Sequence, residues 1–358
     1  MFPAQKGARG KNDPRCEGDP EPPELSVATD FASFNYRWAD YASYVRHEPQ
    51  MNIFQSEAAV RELQAPFVGM DREHSVGCSW WGAVEYWGES NGWPKKGWNY
   101  AVFSHALEPY PSAYLLKSVI SEAPVVRLAV ETGKGENEEW NDVQVGVRAE
   151  ASAWEGRPGD KKNVRVYTNC ESVELFLNGK SLGSKSNDDK SPRGTNVVSF
   201  EVPFEPGELK AEGKCKMESV KCKMNGDVGF RSSSVASHSI RTAGEAVALS
   251  AEVEGCDFAA DGQDLIYVRC RIVDANGTQV RRARNKVSFS CEGAAKFLAC
   301  DSGDHYTDEL FTSDITAKNA KDGFILAAFR TGTVPGEAKI SVTAEGLPPV
   351  ELKAKVGK

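Results

Sequence analysis

The chain has 358 residues, 40% of them hydrophobic and 26% charged, with a formal net charge of −8. That length allows two or three domains with cores of their own, and acidic and basic residues are too evenly spread for the concentrated basic face that nucleic acid or an anionic membrane surface requires. No apolar run approaches the roughly 20 residues that span a bilayer, so membrane insertion is not expected either.

Residues 1–24 are rich in Pro, Gly and charge, lack the apolar stretch of a secretory signal, and read as a disordered tail. From about Leu25 to Ala123 strand-like and helix-like runs alternate. Val27 to Tyr36, Met51 to Ser56 and Val76 to Trp81 read as strands. Ser112 to Glu122 reads as an amphipathic helix, with Ser112 as N-cap and Leu115, Leu116, Val119 and Ile120 on one face. Pro124 blocks its continuation. Strand, helix, strand, helix is the pattern of parallel α/β architecture. After Pro124 the texture changes to short alternating runs, at Val143 to Val147, Val164 to Tyr167, Val173 to Leu177, Val197 to Val202 and Gly207 to Glu212. Asn178-Gly179 is a strong hairpin-turn signal. These runs predict an antiparallel sandwich over residues 124–241. A second sandwich, residues 242–358, is expected from runs at Ala246 to Glu254, Leu265 to Val273, Val287 to Cys291 and Ile340 to Ala344, with a tight turn at Asn276-Gly277.

The chemistry concentrates at two places. Met51-Asn-Ile-Phe-Gln-Ser-Glu57 is an apolar run that ends in a carboxylate, and Gly77-Cys-Ser-Trp-Trp-Gly-Ala-Val-Glu-Tyr-Trp-Gly-Glu-Ser90 is dense in indoles and closes on a second acid. A carboxylate beside aromatic faces suits a sugar ring, because the rings cover its C–H surfaces while the acid supplies charge. In parallel barrels, side chains at the C-terminal strand ends share one pocket. Asn35-Tyr36, Glu57 and Trp80-Trp81 end three consecutive strands and would meet there. A tyrosine hydroxyl can hold such a carboxylate ionised and oriented. The bland readings are a helix-capping Glu57 and a core role for Trp80, Trp81, Trp87, Trp93 and Trp98, though interleaved glycines favour loops. Glu85 and Glu89 fit a second acid, a sugar-hydroxyl ligand or a surface charge, and the ligand role is favoured for Glu89. The nine cysteines include no CxxC pair and read as buried free thiols, with one disulfide among Cys270, Cys291 and Cys300 left open. The five histidines show no metal-ligand spacing, Asp301 to Asp304 reads as a polar turn, and no glycine-rich phosphate loop follows a strand. No cofactor and no metal are expected.

Asp30-Phe-Ala-Ser-Phe-Asn-Tyr36, Ile53-Phe-Gln-Ser-Glu57, Gly77-Cys-Ser-Trp-Trp81 and Glu85-Tyr-Trp-Gly-Glu89 together resemble the end of the catalytic barrel of glycoside hydrolase family 2, the β-galactosidase group. Tyr167 to Gly183, with its Phe-Leu-Asn-Gly-Lys-Ser-Leu-Gly run, resembles the sandwich that follows the barrel, and Ala260 to Leu265 resembles the opening of the next immunoglobulin-like domain. The resemblance implies a mixed, mainly β fold: a partial (β/α)8 TIM-barrel remnant over residues 25–123, followed by two antiparallel immunoglobulin-like β-sandwiches. It implies Glu57 as nucleophile, Tyr36 as its orienting hydroxyl, and Trp81, with Trp80 as alternate, closing a sugar subsite. Asn35 and Glu89 complete the expected substrate contacts. The implied reaction is retaining cleavage of a β-linked glycoside or oligosaccharide. The family's acid/base glutamate, in an Asn-Glu pair well upstream of the nucleophile, has no counterpart here, because Asn137-Glu138 lies after the barrel segment. The chain is therefore expected to be a carboxy-terminal part of such an enzyme, inactive or nearly so by itself. The rival reading is a non-catalytic carbohydrate-binding or spacer module made of the two sandwiches. Its aromatic candidates, Trp140, Trp154, Tyr167, Tyr267 and Tyr306, alternate mostly with apolar neighbours and read as core. The resemblance points to secreted or periplasmic bacterial polysaccharide degraders, and leaves the sugar and the oligomeric state open.

Overall fold

The computed structural model describes residues 19–90, 92–133, 135, 137–140, 143–146, 149–215 and 234–357, with the side chains of 137–145 left aside. Residues 1–18 of the expected tail, together with Cys16 and Cys222, lie outside the described residues. The rest of that tail is anchored, contrary to expectation: Asp19 accepts hydrogen bonds from Ser43 (2.5 Å) and Arg46. The strand expected from Val27 is shorter at its start. Glu24–Val27 forms a helical turn, α1, because Ser26 Oγ donates to the Pro23 carbonyl at 2.6 Å and Thr29 Oγ1 to the Ser26 carbonyl at 2.8 Å. Such local side-chain bonds compete with a sheet ladder.

Three parallel strands follow, β1 (Ala32–Asn35), β2 (Ile53–Ala59) and β3 (Ser75–Trp81), paired in that order. Helices α2 (Tyr41–His47) and α3 (Ala65–Gly69) make the crossovers. Among the described elements this is an open three-stranded α/β layer rather than a closed barrel. Its helix-side face packs Ala32, Phe34, Ile53 and Cys78 against Tyr41 and Tyr44. A two-stranded ribbon, β4 (Tyr86–Trp87) with β5 (Gly97–Trp98), leads to helix α4 (Pro111–Ile120). The predicted α4 cap is displaced. Tyr110 stands at the N-cap and Pro111 at the first turn, where the missing N–H costs nothing and the fixed φ suits a helix. Leu115 is buried, but Ile120 is 64% exposed, so the apolar face is narrower than the sequence suggests.

The first sandwich pairs Val197–Pro203, Lys161–Thr168, Val126–Glu131 and Glu150–Ala151 in one sheet, in that order. The other sheet runs Lys180–Ser186, Ser172–Leu177, Glu208–Cys215 and Ser234–Arg241. Asn178 and Gly179 both have positive φ, 51° and 78°, the conformation a tight two-residue hairpin needs. A disulfide joins Cys170 to Cys215. The free-thiol expectation fails at these two positions because the pairing of Ser172–Leu177 with Glu208–Cys215 brings them together across 45 residues of sequence. Cys270, Cys291 and Cys300 are free. A separate core around Ile266, Val268, Cys270, Phe289, Ile325, Phe329 and Ile340 holds the second sandwich, of one four- and one five-stranded sheet. The Asp274 carboxylate closes its Asn276-Gly277 turn by accepting from the backbone N–H groups of Gly244, Asn276 and Thr278.

Two compact units result: residues 19–90 with 97–240, and residues 92–96 with 241–357. The first unit has a shared core in which Val60, Leu63, Val102 and Leu115 of the α/β part meet Ala129 and Tyr167 of the first sandwich. The change of texture at Pro124 is therefore not a break in packing. No helix among the described residues is long and apolar enough to cross a membrane.

Candidate active site

The site begins with a bulge. Along β2 the partners of β1 step from Gln55 to Glu57, and those of β3 step from Gln55 to Ala58, so between Gln55 and Ala58 β2 carries one more residue than the stretch of either neighbour opposite it. Ser56 fills the gap in the ladder by donating to the Phe34 carbonyl at 3.1 Å and to Asn35 Oδ1 at 2.6 Å. Bulges re-aim side chains beside functional sites. Below the bulge, buried Gln55 accepts from Tyr41 Oη and donates to the Glu57 carbonyl at 2.6 Å. Glu57 is thus fixed through its backbone by a residue that faces the core.

Tyr36 completes the pair. It follows β1 with φ of 57°, a left-handed conformation that costs a tyrosine on the order of 1–3 kcal/mol. That kink lets its N–H bond the Glu57 carbonyl at 2.7 Å while its Oη donates to Glu57 Oε2, also at 2.7 Å. Burial first, then the hydrogen bond and charge of Glu57, then Tyr86 and Glu89, raise the Tyr36 phenol far above its ordinary range. Tyr36 therefore stays protonated and donates to Glu57.

On β3 the two indoles part. Trp80 pairs with buried Ala58, donates Nε1–H to the Leu63 carbonyl at 2.8 Å and packs on Phe67, so it belongs to the core side. Trp81 pairs with Ala59 and is 41% exposed on the opposite face, the face that strand alternation gives to Glu57 and its β1 partner Asn35. Trp81 then leads into Gly82 (φ 63°), whose missing side chain makes room for Trp98: a Cβ there would lie 2.4 Å from the indole nitrogen. Trp98 is buried and stacks on Tyr86, with ring centroids 6.2 Å apart and planes within 11°. Tyr86 Oη donates to Glu89 Oε2 at 2.5 Å. Tyr86 and Glu89 also act on the Tyr36 phenol, so Tyr36, Glu57, Tyr86 and Glu89 stand in one electrostatic neighbourhood.

The remaining candidates separate. Glu85 is buried and accepts from Tyr110 Oη at 2.8 Å, with His105 Nδ1 4.0 Å from its other oxygen. Trp87 packs on His105. These contacts lie beside the ribbon that carries Tyr86. Trp93 is 79% exposed, in the second unit. In the sandwiches Trp154 and Tyr167 are fully buried, Tyr267 and Tyr306 are exposed, and the Trp140 side chain lies outside the described residues. The sequence reading gave no role to Tyr86 or Gln55. Tyr86 lies inside the quoted Glu85 to Glu89 motif, whereas nothing in the sequence marks Gln55 beyond its place two residues before Glu57.

Residues 249–353 match the glycoside hydrolase family 2 C-terminal domain 5, and residues 159–219 match a domain of unknown function, DUF4982. A β-galactosidase of Bacteroides ovatus is 29% identical over 276 residues, which is 76% of this chain and 27% of that protein. A β-glucuronidase of Formosa agariphila is 31% identical over 206 residues, 54% of this chain and 19% of its own. The crystal structure of a glycosyl hydrolase family 2 member from Bacteroides cellulosilyticus superposes with a TM-score of 0.76 at 26% identity, over 92% of this chain and 42% of that one. The chain thus spans well under half the length of these relatives. Matched by one carboxy-terminal domain description, by curated relatives and by overall structure, the chain is similar to a carboxy-terminal region of glycoside hydrolase family 2 proteins.

Proposed function

We propose that this chain supplies the nucleophile side of a retaining glycosidase site acting on β-linked glycosides. Residues 25–123 are read as the closing part of a (β/α)8 barrel, and residues 124–241 and 242–358 as the immunoglobulin-like sandwiches that brace it. The likeness to the Bacteroides cellulosilyticus structure supports this reading, since it leaves too little of the chain uncovered to omit the α/β layer. The observation that carries the proposal is the 2.7 Å bond from Tyr36 Oη to Glu57 Oε2 at the C-terminal ends of adjacent parallel strands. Glu57 attacks the anomeric carbon and Tyr36 holds it ionised and aimed. Trp81 covers the C–H face of the sugar, while Asn35 and Glu89 bind its hydroxyls.

Retention requires a second carboxyl group about 5–5.5 Å from the first, which protonates the leaving oxygen and later activates water. The family resemblance gives no residue of this sequence that role. Residues 1–358 alone are therefore expected to hydrolyse aryl β-glycosides at least about 10²-fold more slowly than an enzyme with the acid/base in place. The nucleophile is tested by trapping with an activated 2-deoxy-2-fluoro β-glycoside in a protein that carries both carboxyls, followed by peptide mass spectrometry. The label is expected on Glu57 and is expected to vanish in Glu57→Gln. Undiminished labelling of that variant rejects the assignment.

A further inference from the structure

Gln55 is a polar residue set into an apolar wall. It shares the helix-side face of β2 with Ile53, where Ala32, Phe34 and Cys78 pack against Tyr41 and Tyr44, and neither Gln55 nor Tyr41 is exposed to solvent. Packing alone would favour an aliphatic side chain there, because a buried amide is costly unless it is hydrogen-bonded. Both ends of this amide are used. Its Oε1 accepts from Tyr41 Oη at the start of α2, and its Nε2 donates to the Glu57 carbonyl at 2.6 Å. Burial first, then Cys78, raises the Tyr41 phenol far above its ordinary range, so the phenol keeps its proton and gives it to the amide oxygen. The reverse orientation of the amide would set its oxygen against the Glu57 carbonyl, two acceptors with no proton between them. Tyr41 thus decides which way Gln55 points.

We propose that Gln55 is a positioning residue for the glycosidase reaction: oriented by Tyr41, it holds the Glu57 backbone at the bulge and keeps the carboxylate aimed at the anomeric carbon. The proposal rests on the reading of Glu57 as nucleophile. The bulge interrupts the regular ladder on both sides of β2 between Gln55 and Ala58, so a side-chain amide supplies a bond there that regular pairing does not. Tyr36 N–H gives the same carbonyl a second donor at 2.7 Å, from the end of β1. Glu57 is therefore gripped through its main chain from the core by Gln55, and through both main chain and side chain from the rim by Tyr36. Gln55 touches neither the sugar nor the reacting atoms. It acts through the Glu57 peptide, and Tyr41 acts through Gln55. Loosening that peptide lets the carboxylate drift, and a misplacement of about 1 Å costs on the order of 10²-fold in rate.

The test follows covalent trapping in the whole chain, with 2,4-dinitrophenyl 2-deoxy-2-fluoro-β-D-galactopyranoside and the corresponding β-D-glucuronide as probes. The Glu57 carboxylate bonds to C1 as the C1–O bond breaks, and dinitrophenolate leaves as an anion, so the step needs no proton donor. Its rate constant and half-saturating probe concentration are measured for wild type, Glu57→Gln, Tyr41→Phe, Gln55→Met and the double variant Tyr41→Phe/Gln55→Met, with circular dichroism and thermal melting for each. Gln55→Met is expected to lower the rate constant about 10- to 100-fold and to change the half-saturating concentration less than about 3-fold. Tyr41→Phe releases the amide and is expected to lower the rate constant about 3- to 10-fold. The double variant separates positioning from folding. It removes both polar partners together, so its melting temperature is expected to recover towards wild type while its rate stays as low as that of Gln55→Met. A rate that recovers with the melting temperature, or a Tyr41→Phe or Gln55→Met variant that reacts within about 2-fold of wild type, overturns this proposal and leaves Glu57 as nucleophile. If wild type takes no label from either probe, or Glu57→Gln is labelled as fast, the nucleophile reading and this proposal fall together.

Discussion

At the scale of single residues, the site depends on backbone positions as much as on its chemical groups. Gly82 is the clearest case. Its positive φ and the nearness of the Trp98 indole leave no room for a side chain. Gly82→Ala is expected to destabilise the first unit by about 2 kcal/mol or more, from left-handed strain plus overpacking. The same change should displace Tyr86 and weaken glycoside binding, read as a loss of tryptophan fluorescence change on titration. An unaltered melting curve would mean that Trp98 can move aside at little cost. Tyr36 shows the converse. A tyrosine in a left-handed conformation is unfavourable, yet it directs one N–H and one O–H to the same glutamate. From the sequence, Glu57 stands out as an acid ending an apolar run, and Tyr36 as an aromatic at a strand end. Their bond could not be read there, because it depends on the kink after β1 and the bulge in β2. The parting of Trp80 from Trp81 follows from strand alternation, but which of them faces the core depends on register.

At the scale of elements, short strands leave backbone groups that side chains must satisfy. The strand Glu150–Ala151 is too brief to cover its neighbour, so Leu128 turns elsewhere: its N–H donates to His238 Nδ1 at 3.2 Å, and its carbonyl accepts from Ser152 Oγ at 2.8 Å. His238 lies on a strand of the opposite sheet. Burial, and then the Arg127 charge, push its imidazole down to about 4 from an ordinary value of 6.5. The neutral form is therefore the one the fold holds. Stability from this group is complete above about pH 6.5. It falls as pH drops towards 4, because the unfolded chain takes up the proton first; the loss reaches about 3 kcal/mol at most. Denaturant melts of wild type and His238→Gln from pH 7 to pH 4 should show a steeper decline in the wild type, and parallel curves would deny His238 the role. In the same sandwich, the Cys170–Cys215 disulfide closes a loop of 45 residues. Reduction is expected to cost up to about 4 kcal/mol on the loop-entropy model. Alkylation of the unfolded, unreduced protein should leave two fewer cysteines labelled than after reduction.

At the scale of the whole molecule, the α/β layer and the first sandwich stand or fall together, because Leu115 and Val60 on one side and Tyr167 and Ala129 on the other form one core. Leu115→Ala is expected to destabilise the unit by about 2–5 kcal/mol and to lower amide-exchange protection in both parts. Loss confined to the α/β layer would show that the two are energetically separate. The second sandwich has a core of its own, and its exchange should be unchanged. By itself, the sequence determined the change from parallel α/β to antiparallel β, the hairpin at Asn178-Gly179 and the candidate carboxylate and indoles, because periodicity, turn residues and side-chain type are local properties. Only the tertiary structure decided the bulge that aims Glu57, the disulfide between distant cysteines, the second Tyr–Glu pair and the core shared across Pro124. Each of these depends on which residues, far apart in the chain, are brought within contact distance, and neither composition nor spacing encodes that in readable form.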